Sequence, residues 1–160
     1  MWLPIRYKHD SRCSARDMVK MMTLDEILEN FEFLEDWEDK YRYVIELGRT
    51  MPEFPDDKRI ADYKIDGCVS QVWLIKNIDT SSGEPILTYS GDSDAHIVRG
   101  LVALVLTAFS GRKASDIIEF DTDGMFSQIG LREHLTPQRS NGLSAMVNRI
   151  KNDASEALKD

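Results

Sequence analysis

One of the two cysteines in this chain has a sequence context that suits a reactive thiol. Cys68 lies within Gly67-Cys68-Val69-Ser70-Gln71-Val72-Trp73. Gly67 has no Cβ and adopts positive φ at little cost, so the chain can turn sharply just before the thiol. The residues from Val69 to Ile78 are β-branched, aromatic and aliphatic, which favours a strand. We therefore expect Cys68 at a loop tip that leads into a strand; the alternative is a buried cysteine that acts as a small hydrophobe.

The other candidates for chemistry are weaker. Cys13 and Cys68 are too few and too far apart for a disulfide framework, which fits a reducing, cytoplasmic environment. There is no CxxC motif, and His9, His96 and His134 lack the paired spacing of zinc ligands, so we expect no metal site. A cysteine-dependent hydrolase or transferase is an alternative function, and it would need His96 or His134 beside Cys68 as a base.

Composition narrows the possible classes. The chain has 160 residues, of which 42% are hydrophobic and 30% charged, as in one ordinary globular domain. The net charge of −8 argues against unspecific nucleic-acid binding, which requires basic surfaces. No apolar run approaches the ~20 residues that span a membrane. The longest, Leu101 to Phe109, is better interpreted as part of a buried helix.

The first residues of the chain differ from the rest in charge. Residues 1–22 carry a net charge of +3, against −11 for the remainder. They contain no apolar segment long enough for a signal peptide. We expect residues 1–21 to be a disordered extension or the product of a mis-set start, since Met18, Met21 and Met22 could each begin the protein. Residues 22–160 are expected to form the domain.

Two amphipathic helices are predicted next. The segment Thr23-Leu24-Asp25-Glu26 has the pattern of a capping box, in which threonine and glutamate satisfy each other's free amides. The second helix is expected to start near Asp36 and to end at Gly48. Apolar residues at helical spacing define their buried faces: Leu24, Ile27, Leu28 and Phe31 in the first, and Trp37, Tyr41, Val44 and Ile45 in the second.

A small sheet is predicted in the middle of the chain. A short extended piece at 62–65 precedes the cysteine, and the strand 69–78 follows it. The turn 79–84 leads to a second long strand at 85–90, which makes an antiparallel hairpin. With the short first piece, the sheet has about three strands, and helices must cover one of its faces.

Helices are predicted for the rest of the chain. Asp92-Ser93-Asp94 would cap a helix that is apolar nearly all round and therefore central. The following elements are expected to be a helix at 114–120, a turn at 121–124, short helical pieces over 125–136 and a last helix from about Ser140. The last helix would bury Leu143, Met146, Val147, Ile150 and Ala154 and expose Lys151, Asp153 and Glu156.

Three blocks of the chain resemble the SufE sulfur-acceptor proteins of iron–sulfur cluster assembly. The first is Gly67-Cys68-x-Ser70-x-Val72-Trp73. The second is Gly91-Asp92-Ser93-Asp94-Ala95 followed by Ile97-Val98-Arg99-Gly100-Leu101. The third is Leu135-Thr136-Pro137-Gln138-Arg139-Ser140-Asn141-Gly142-Leu143 with Ala145-Met146. Their order and spacing match the family, and the resemblance covers residues 22 to about 157.

The resemblance implies an α+β fold, a small antiparallel sheet packed against several helices, as in the scaffold proteins of the same pathway. It also implies a sulfur carrier rather than an enzyme. A pyridoxal-phosphate cysteine desulfurase, either the main cluster-assembly enzyme or a paralogue, would place a persulfide sulfur on Cys68. This chain would stimulate the desulfurase, bind no cofactor itself, and pass sulfur to an iron–sulfur scaffold. We expect a monomer or weak homodimer in the cytoplasm.

Five residues are expected to support the cysteine: Gly67, Ser70, Gln71, Asp94 and Arg139. Ser70 and Gln71 would line its pocket. Arg139 would support the loop or lower the pKa of the thiol by its charge; alternatively it is an arginine at a helix start that binds carbonyls. Asp94, and Asp92 beside it in the sequence, would anchor the loop, although a first-turn position already explains both.

One further expectation concerns the cysteine itself, and another concerns a competing functional class. Val69, Val72 and Trp73 would shelter the Cys68 thiol in the free protein, and such burial raises the pKa of a thiol. A third functional class, a cluster scaffold or adaptor, would need several Cys or His ligands.

Overall fold

The computed structural model describes residues 23–65, 67 and 70–159, apart from the side chain of Arg132. The expectation of a disordered extension at 1–21 lies outside this range. Six α-helices and three strands occur in the described part. The helices are α1 Leu24–Phe33, α2 Trp37–Arg49, α3 His96–Phe109, α4 Ala114–Glu119, α5 Thr122–Ile129 and α6 Pro137–Lys159. The strands are β1 Val72–Asp79, β2 Ile86–Ser93 and β3 Arg112–Lys113.

The capping box at the start of α1 is confirmed. The hydroxyl of Thr23 accepts a hydrogen bond from the amide of Glu26 at 3.2 Å, and the Glu26 carboxylate accepts one from the amide of Thr23 at 3.1 Å. The predicted faces of α1 and α2 are also confirmed, because their apolar residues are buried or half-buried against the core.

The predicted role of Gly48 is wrong. Helix α2 continues past it to Arg49. A Cβ at Gly48 would lie 2.7 Å from the amide nitrogen of Gly100, and one at Gly100 would collide with the carbonyl oxygen of Val44. The two glycines therefore allow α2 to cross α3 at close range.

The sheet has the order β1-β2-β3 and is antiparallel. The hairpin is confirmed, but β1 begins at Val72 rather than Val69, and β2 continues to Ser93. The third strand is β3 instead of the piece at 62–65. That piece contains the 3₁₀ turn Ala61–Tyr63 and contributes a single bridge from Lys64 to Trp73.

Helix α3 forms the centre of the core, as its apolar sequence predicts. Ten of its residues are buried. It packs against α2, α6 and strand β2. Within the described residues, no helix is long and apolar enough to cross a membrane.

The C-terminal elements differ from the prediction at their starts. Residues 121–124 form the beginning of α5, where the carboxylate of Asp121 caps the helix by accepting from the Gly124 amide at 3.0 Å. Helix α6 begins at Pro137, three residues before the predicted start. Thr136 precedes it, and its hydroxyl accepts from the amide of Arg139 at 3.3 Å. The five predicted core residues of α6 are buried.

Asp153 is buried, although the sequence predicts that it faces water. The hydroxyl of Tyr89 on β2 donates a hydrogen bond to its carboxylate at 2.8 Å. Lys76 and Arg149 place nitrogens 3.6 and 3.7 Å from the same carboxylate. Burial, together with this hydrogen bond, raises the pKa of Tyr89. The pair therefore ties α6 to the sheet.

Candidate functional site

The cysteine motif lies between two stretches that the sheet brings together. The amide of Ile65 donates to the carbonyl of Val72 at 2.8 Å, and Lys64 pairs with Trp73. Trp73 is buried. Residues 66–71 therefore connect Ile65 and Val72, two residues that a backbone hydrogen bond joins. Cys68 itself lies outside the described residues, so the sheltered thiol stays a prediction.

Gly67 has the conformation expected from the sequence. Its φ is +94°, a region that residues with a side chain rarely adopt. A Cβ at this position would lie 3.3 Å from the Cβ of Ala145 on α6. Position 67 therefore brings the chain against α6, and glycine is the residue type suited to it.

Ser70 and Arg139, both predicted to support the cysteine, line one cavity of about 300 Å³. Its apolar wall includes Leu101, Leu143 and Met146 from the two longest helices. The cavity therefore combines apolar walls with a serine and an arginine. The serine, Ser70, is two residues along the chain from Cys68.

The side chain of Arg139 contacts a tyrosine on α2. Its Nη1 donates a hydrogen bond to the hydroxyl of Tyr41 at 3.2 Å. Tyr41 belongs to the buried face of α2, so the orientation of Arg139 depends on how α2 packs against the start of α6. Among the described residues, this tyrosine hydroxyl accepts from the guanidinium of Arg139, and the alternative of helix-start carbonyls as its acceptors finds no support there.

Gln71 and Asp94 are joined by three hydrogen bonds. The carboxylate of Asp94 accepts from the amide of Gln71 at 3.1 Å and from its side-chain Nε2 at 3.4 Å. The Asp94 amide donates to the Gln71 carbonyl at 3.3 Å. Asp94 precedes α3, which begins at His96, so the predicted first-turn role is wrong. Its place opposite Gln71 supports the predicted anchoring role instead.

Asp92 contacts two arginines that the sequence did not indicate as its partners. It lies in β2 instead of capping α3, and its side chain is only 4% exposed. Arg59 donates to Oδ2 of this carboxylate from Nε at 3.0 Å and from Nη2 at 2.6 Å. Arg99 places its Nε 3.2 Å from Oδ1 without the alignment of a hydrogen bond.

The pairing with Asp92 also affects Arg59. The hydrogen bonds to the Asp92 carboxylate raise the pKa of Arg59 above its ordinary value, so the cation persists at any physiological pH. The two residues are 33 positions apart in the chain, so no local pattern indicates the pair.

Neither candidate histidine lines the cavity that contains Ser70 and Arg139. His96 is exposed at the first position of α3. His134 is exposed, and its ring stacks on Trp37 with centroids 4.2 Å apart. In the described part of the chain, no group of three His, Cys, Asp or Glu side chains is placed to hold a metal ion.

A larger cavity, of about 380 Å³, lies between α1, α2, β2 and α3. Ile27, Leu47, Phe54 and Leu106 are among its apolar walls. It contains none of the five residues predicted to support the cysteine. Of these two cavities, only the smaller one is lined by residues predicted to support the cysteine, namely Ser70 and Arg139.

The chain matches known proteins over most of its length. A family model described as "SufE: Fe-S metabolism associated domain" matches residues 25–154, which include all three sequence blocks. The chain belongs to the SufE family. The family assignment associates it with iron–sulfur metabolism.

Relatives in the SufE family share about half of its residues. An uncharacterized SufE-like protein of Rhizobium meliloti is 52% identical over 138 residues, which cover 86% of this chain and 99% of the relative. An uncharacterized SufE-like protein of Rhizobium etli is 54% identical over 134 residues, covering 84% and 90% of the two chains.

A solved structure has the same fold. The solution structure of a hypothetical protein from Thermus thermophilus superposes with a TM-score of 0.66. The alignment covers 87% of this chain and 100% of the other, with 21% sequence identity. The predicted α+β fold of the SufE family, a three-stranded antiparallel sheet packed with helices, is confirmed.

Proposed function

We propose that this chain is a sulfur carrier that accepts a persulfide sulfur on Cys68 from a pyridoxal-phosphate cysteine desulfurase and passes it to an iron–sulfur scaffold. One observation carries the proposal. The residues predicted to support the cysteine meet around positions 66–71: Gly67 lies against α6, Asp94 binds Gln71, and Ser70 and Arg139 share a cavity. Within the matched range 25–154, Cys68 is the only cysteine in the sequence.

The transfer step is a displacement at sulfur. The Cys68 thiolate attacks the terminal sulfur of the persulfide held by the desulfurase, and a new S–S bond forms on Cys68. The S–S bond of the desulfurase breaks, and its cysteine leaves as a thiolate. The sulfane sulfur keeps its oxidation state, so the step needs no added oxidant or reductant. The pyridoxal phosphate belongs to the desulfurase, and this chain supplies only the acceptor.

The described surroundings suit such an acceptor. The guanidinium of Arg139 favours the ionised form of a nearby thiol or persulfide, because an opposite charge stabilises an anion. The apolar wall of the same cavity would replace water with hydrocarbon contacts on one side of a thiol or persulfide placed there. The absence of a second cysteine from the matched sequence also helps, since a resolving thiol would convert the persulfide to a disulfide and release sulfide.

The test is intact-mass analysis after the protein is mixed with a cysteine desulfurase and free cysteine. We expect a gain of one sulfur atom per chain, which peptide mapping locates on Cys68 and which a thiol reductant removes. A Cys13→Ser variant serves as the matched control and should gain the same mass. If no sulfur is gained, or if it resides on Cys13, the proposed function is wrong.

A further inference from the structure

The segment that precedes the cysteine motif is fixed to the body of the protein by side chains. We define residues 54–65 as the upstream stem. Phe54 is buried at its start, and the Arg59 guanidinium lies over the Phe54 ring, 5.7 Å from its centroid. Arg59 also forms ion pairs with Asp56, within the stem, and with Asp92 on β2. Arg59 therefore binds the middle of the stem to β2, in addition to the backbone contacts that Lys64 and Ile65 make with β1 at its end.

Asp92, which binds Arg59, lies in the same row of the sheet as Trp73 and Lys64, which flank the residues around Cys68. Asp92 pairs with Trp73 across β1 and β2, and Trp73 in turn bridges Lys64 at the end of the upstream stem. Ile65, next to Lys64, is buried and bonded to Val72. A shift of the stem relative to β2 would therefore be transmitted directly to the residues on both sides of the motif.

Two arginines contact the Asp92 carboxylate, but they belong to different parts of the fold. Arg99 is on α3 at the centre of the core, and its charge already offsets that of the buried carboxylate. Arg59 adds two aligned hydrogen bonds from a segment outside the helices. Charge balance at Asp92 therefore does not by itself require Arg59. The contact of Arg59 with Asp92 instead fixes the stem at a defined place on β2.

We propose that Arg59 is a positioning residue for sulfur transfer: its ion pair with Asp92 fixes the upstream stem and so determines where Cys68 is offered to the desulfurase. The inference rests on the proposed function. It predicts an effect on association, because a stem that is not fixed beforehand must be ordered during docking. The chemical step depends on Cys68 and is affected less.

The test measures the stimulated desulfurase rate as a function of the concentration of this protein. For Arg59→Met, we expect the half-saturating concentration to rise about fivefold, as for the loss of one ordered contact. The maximal rate should change less than about twofold. Arg59→Lys retains the charge but not the two-pronged geometry, so it should fold and give an intermediate shift.

Arg99→Met is the matched control, since it removes the other cation from the same carboxylate without touching the stem. It should lower the melting temperature at least as much as Arg59→Met but leave the half-saturating concentration close to that of the wild type. If both variants shift this concentration in proportion to their loss of stability, or if Arg59→Lys behaves as wild type, Arg59 has only a structural role.

The two proposals fail in different ways. If the wild-type protein gains no sulfur on Cys68, the proposed function is wrong and the role of Arg59 in sulfur transfer is wrong with it. If the wild type gains sulfur but the Arg59 and Arg99 variants cannot be distinguished, only the positioning role is wrong.

Discussion

Asp92 and Asp94 are two residues apart in one sequence block, yet they act on opposite sides of the cysteine motif in different ways. Asp92 is buried and binds Arg59 of the upstream stem. Asp94 is exposed and binds Gln71, just after the motif. Removing one partner of a buried ion pair costs about 3–5 kcal/mol, whereas exposed contacts of this kind are worth less than about 1 kcal/mol. The upstream side therefore has the strong anchor and the downstream side the weak one.

The difference between Asp92 and Asp94 matters for function if Cys68, which lies in the sequence between the two segments that they bind, is the reacting group. We expect Cys68→Ser to bind the desulfurase but to gain no sulfur and to stimulate no turnover, because a hydroxyl is a far poorer nucleophile towards sulfane sulfur than a thiolate. Turnover and intact mass measure the two effects. Stimulation equal to that of the wild type would make the chain an allosteric activator and would contradict the sulfur-acceptor proposal.

Asp92→Asn tests the strong anchor. The substitution removes the buried carboxylate that faces Arg59 and Arg99, and Arg59 keeps only its ion pair with the exposed Asp56. We expect the free energy of unfolding to fall by about 3 kcal/mol. Because the side chains of both arginines are 31% exposed, water offsets part of the loss. Denaturant unfolding measures the change.

Asp153→Asn is the control, because Asp153 is a buried carboxylate that binds Tyr89 and contacts neither the stem nor Gln71 through any described hydrogen bond. It should also destabilise the fold but leave the half-saturating concentration for the desulfurase unchanged. A similar functional loss in both variants would show that the upstream anchor has no role beyond stability.

Asp94→Arg tests the weak anchor. The substitution removes the carboxylate that accepts two hydrogen bonds from Gln71, and it puts a cation near the positive end of α3. We expect a loss of stability of less than about 1 kcal/mol. We also expect faster alkylation of Cys68 and tighter or faster engagement of the desulfurase, because a contact that opposes presentation of the thiol is lost.

Asp94→Asn is the matched variant, since it keeps one acceptor oxygen and adds no positive charge. It should lie between the wild type and Asp94→Arg in the rate of Cys68 alkylation. Unchanged alkylation in both variants would mean that the downstream contact does not restrain the motif.

The smallest effect is expected upstream of both anchors. A chain that starts at Met22 should unfold and accept sulfur like the full chain, because the capping box begins at Thr23 and the family match at residue 25. Denaturant unfolding and intact mass provide the comparison. A loss of more than about 1 kcal/mol, the size of a typical substitution, would show that residues 1–21 contribute to the stability of the domain.

The sequence by itself determined the features that depend on neighbouring residues. The capping box depends on Thr23 and Glu26, which are three positions apart. The hairpin depends on two strand patterns, β1 and β2, that a short turn separates. The apolar sequence of α3 predicts its central place, because such a helix cannot face water on any side. The positive φ of Gly67 and the family of the chain also follow from short motifs.

Only the tertiary structure decided the features that join distant segments. The third strand is a two-residue piece at Arg112–Lys113, too short to have a strand pattern of its own. Gly48 stops no helix but allows contact with Gly100, and Asp153 is buried because Tyr89 lies opposite it. Asp92 and Asp94 look alike in the sequence, and only the pairing of β2 with β1 buries one and exposes the other. The strength of each contact depends on burial, and burial is set by partners that local sequence patterns do not identify.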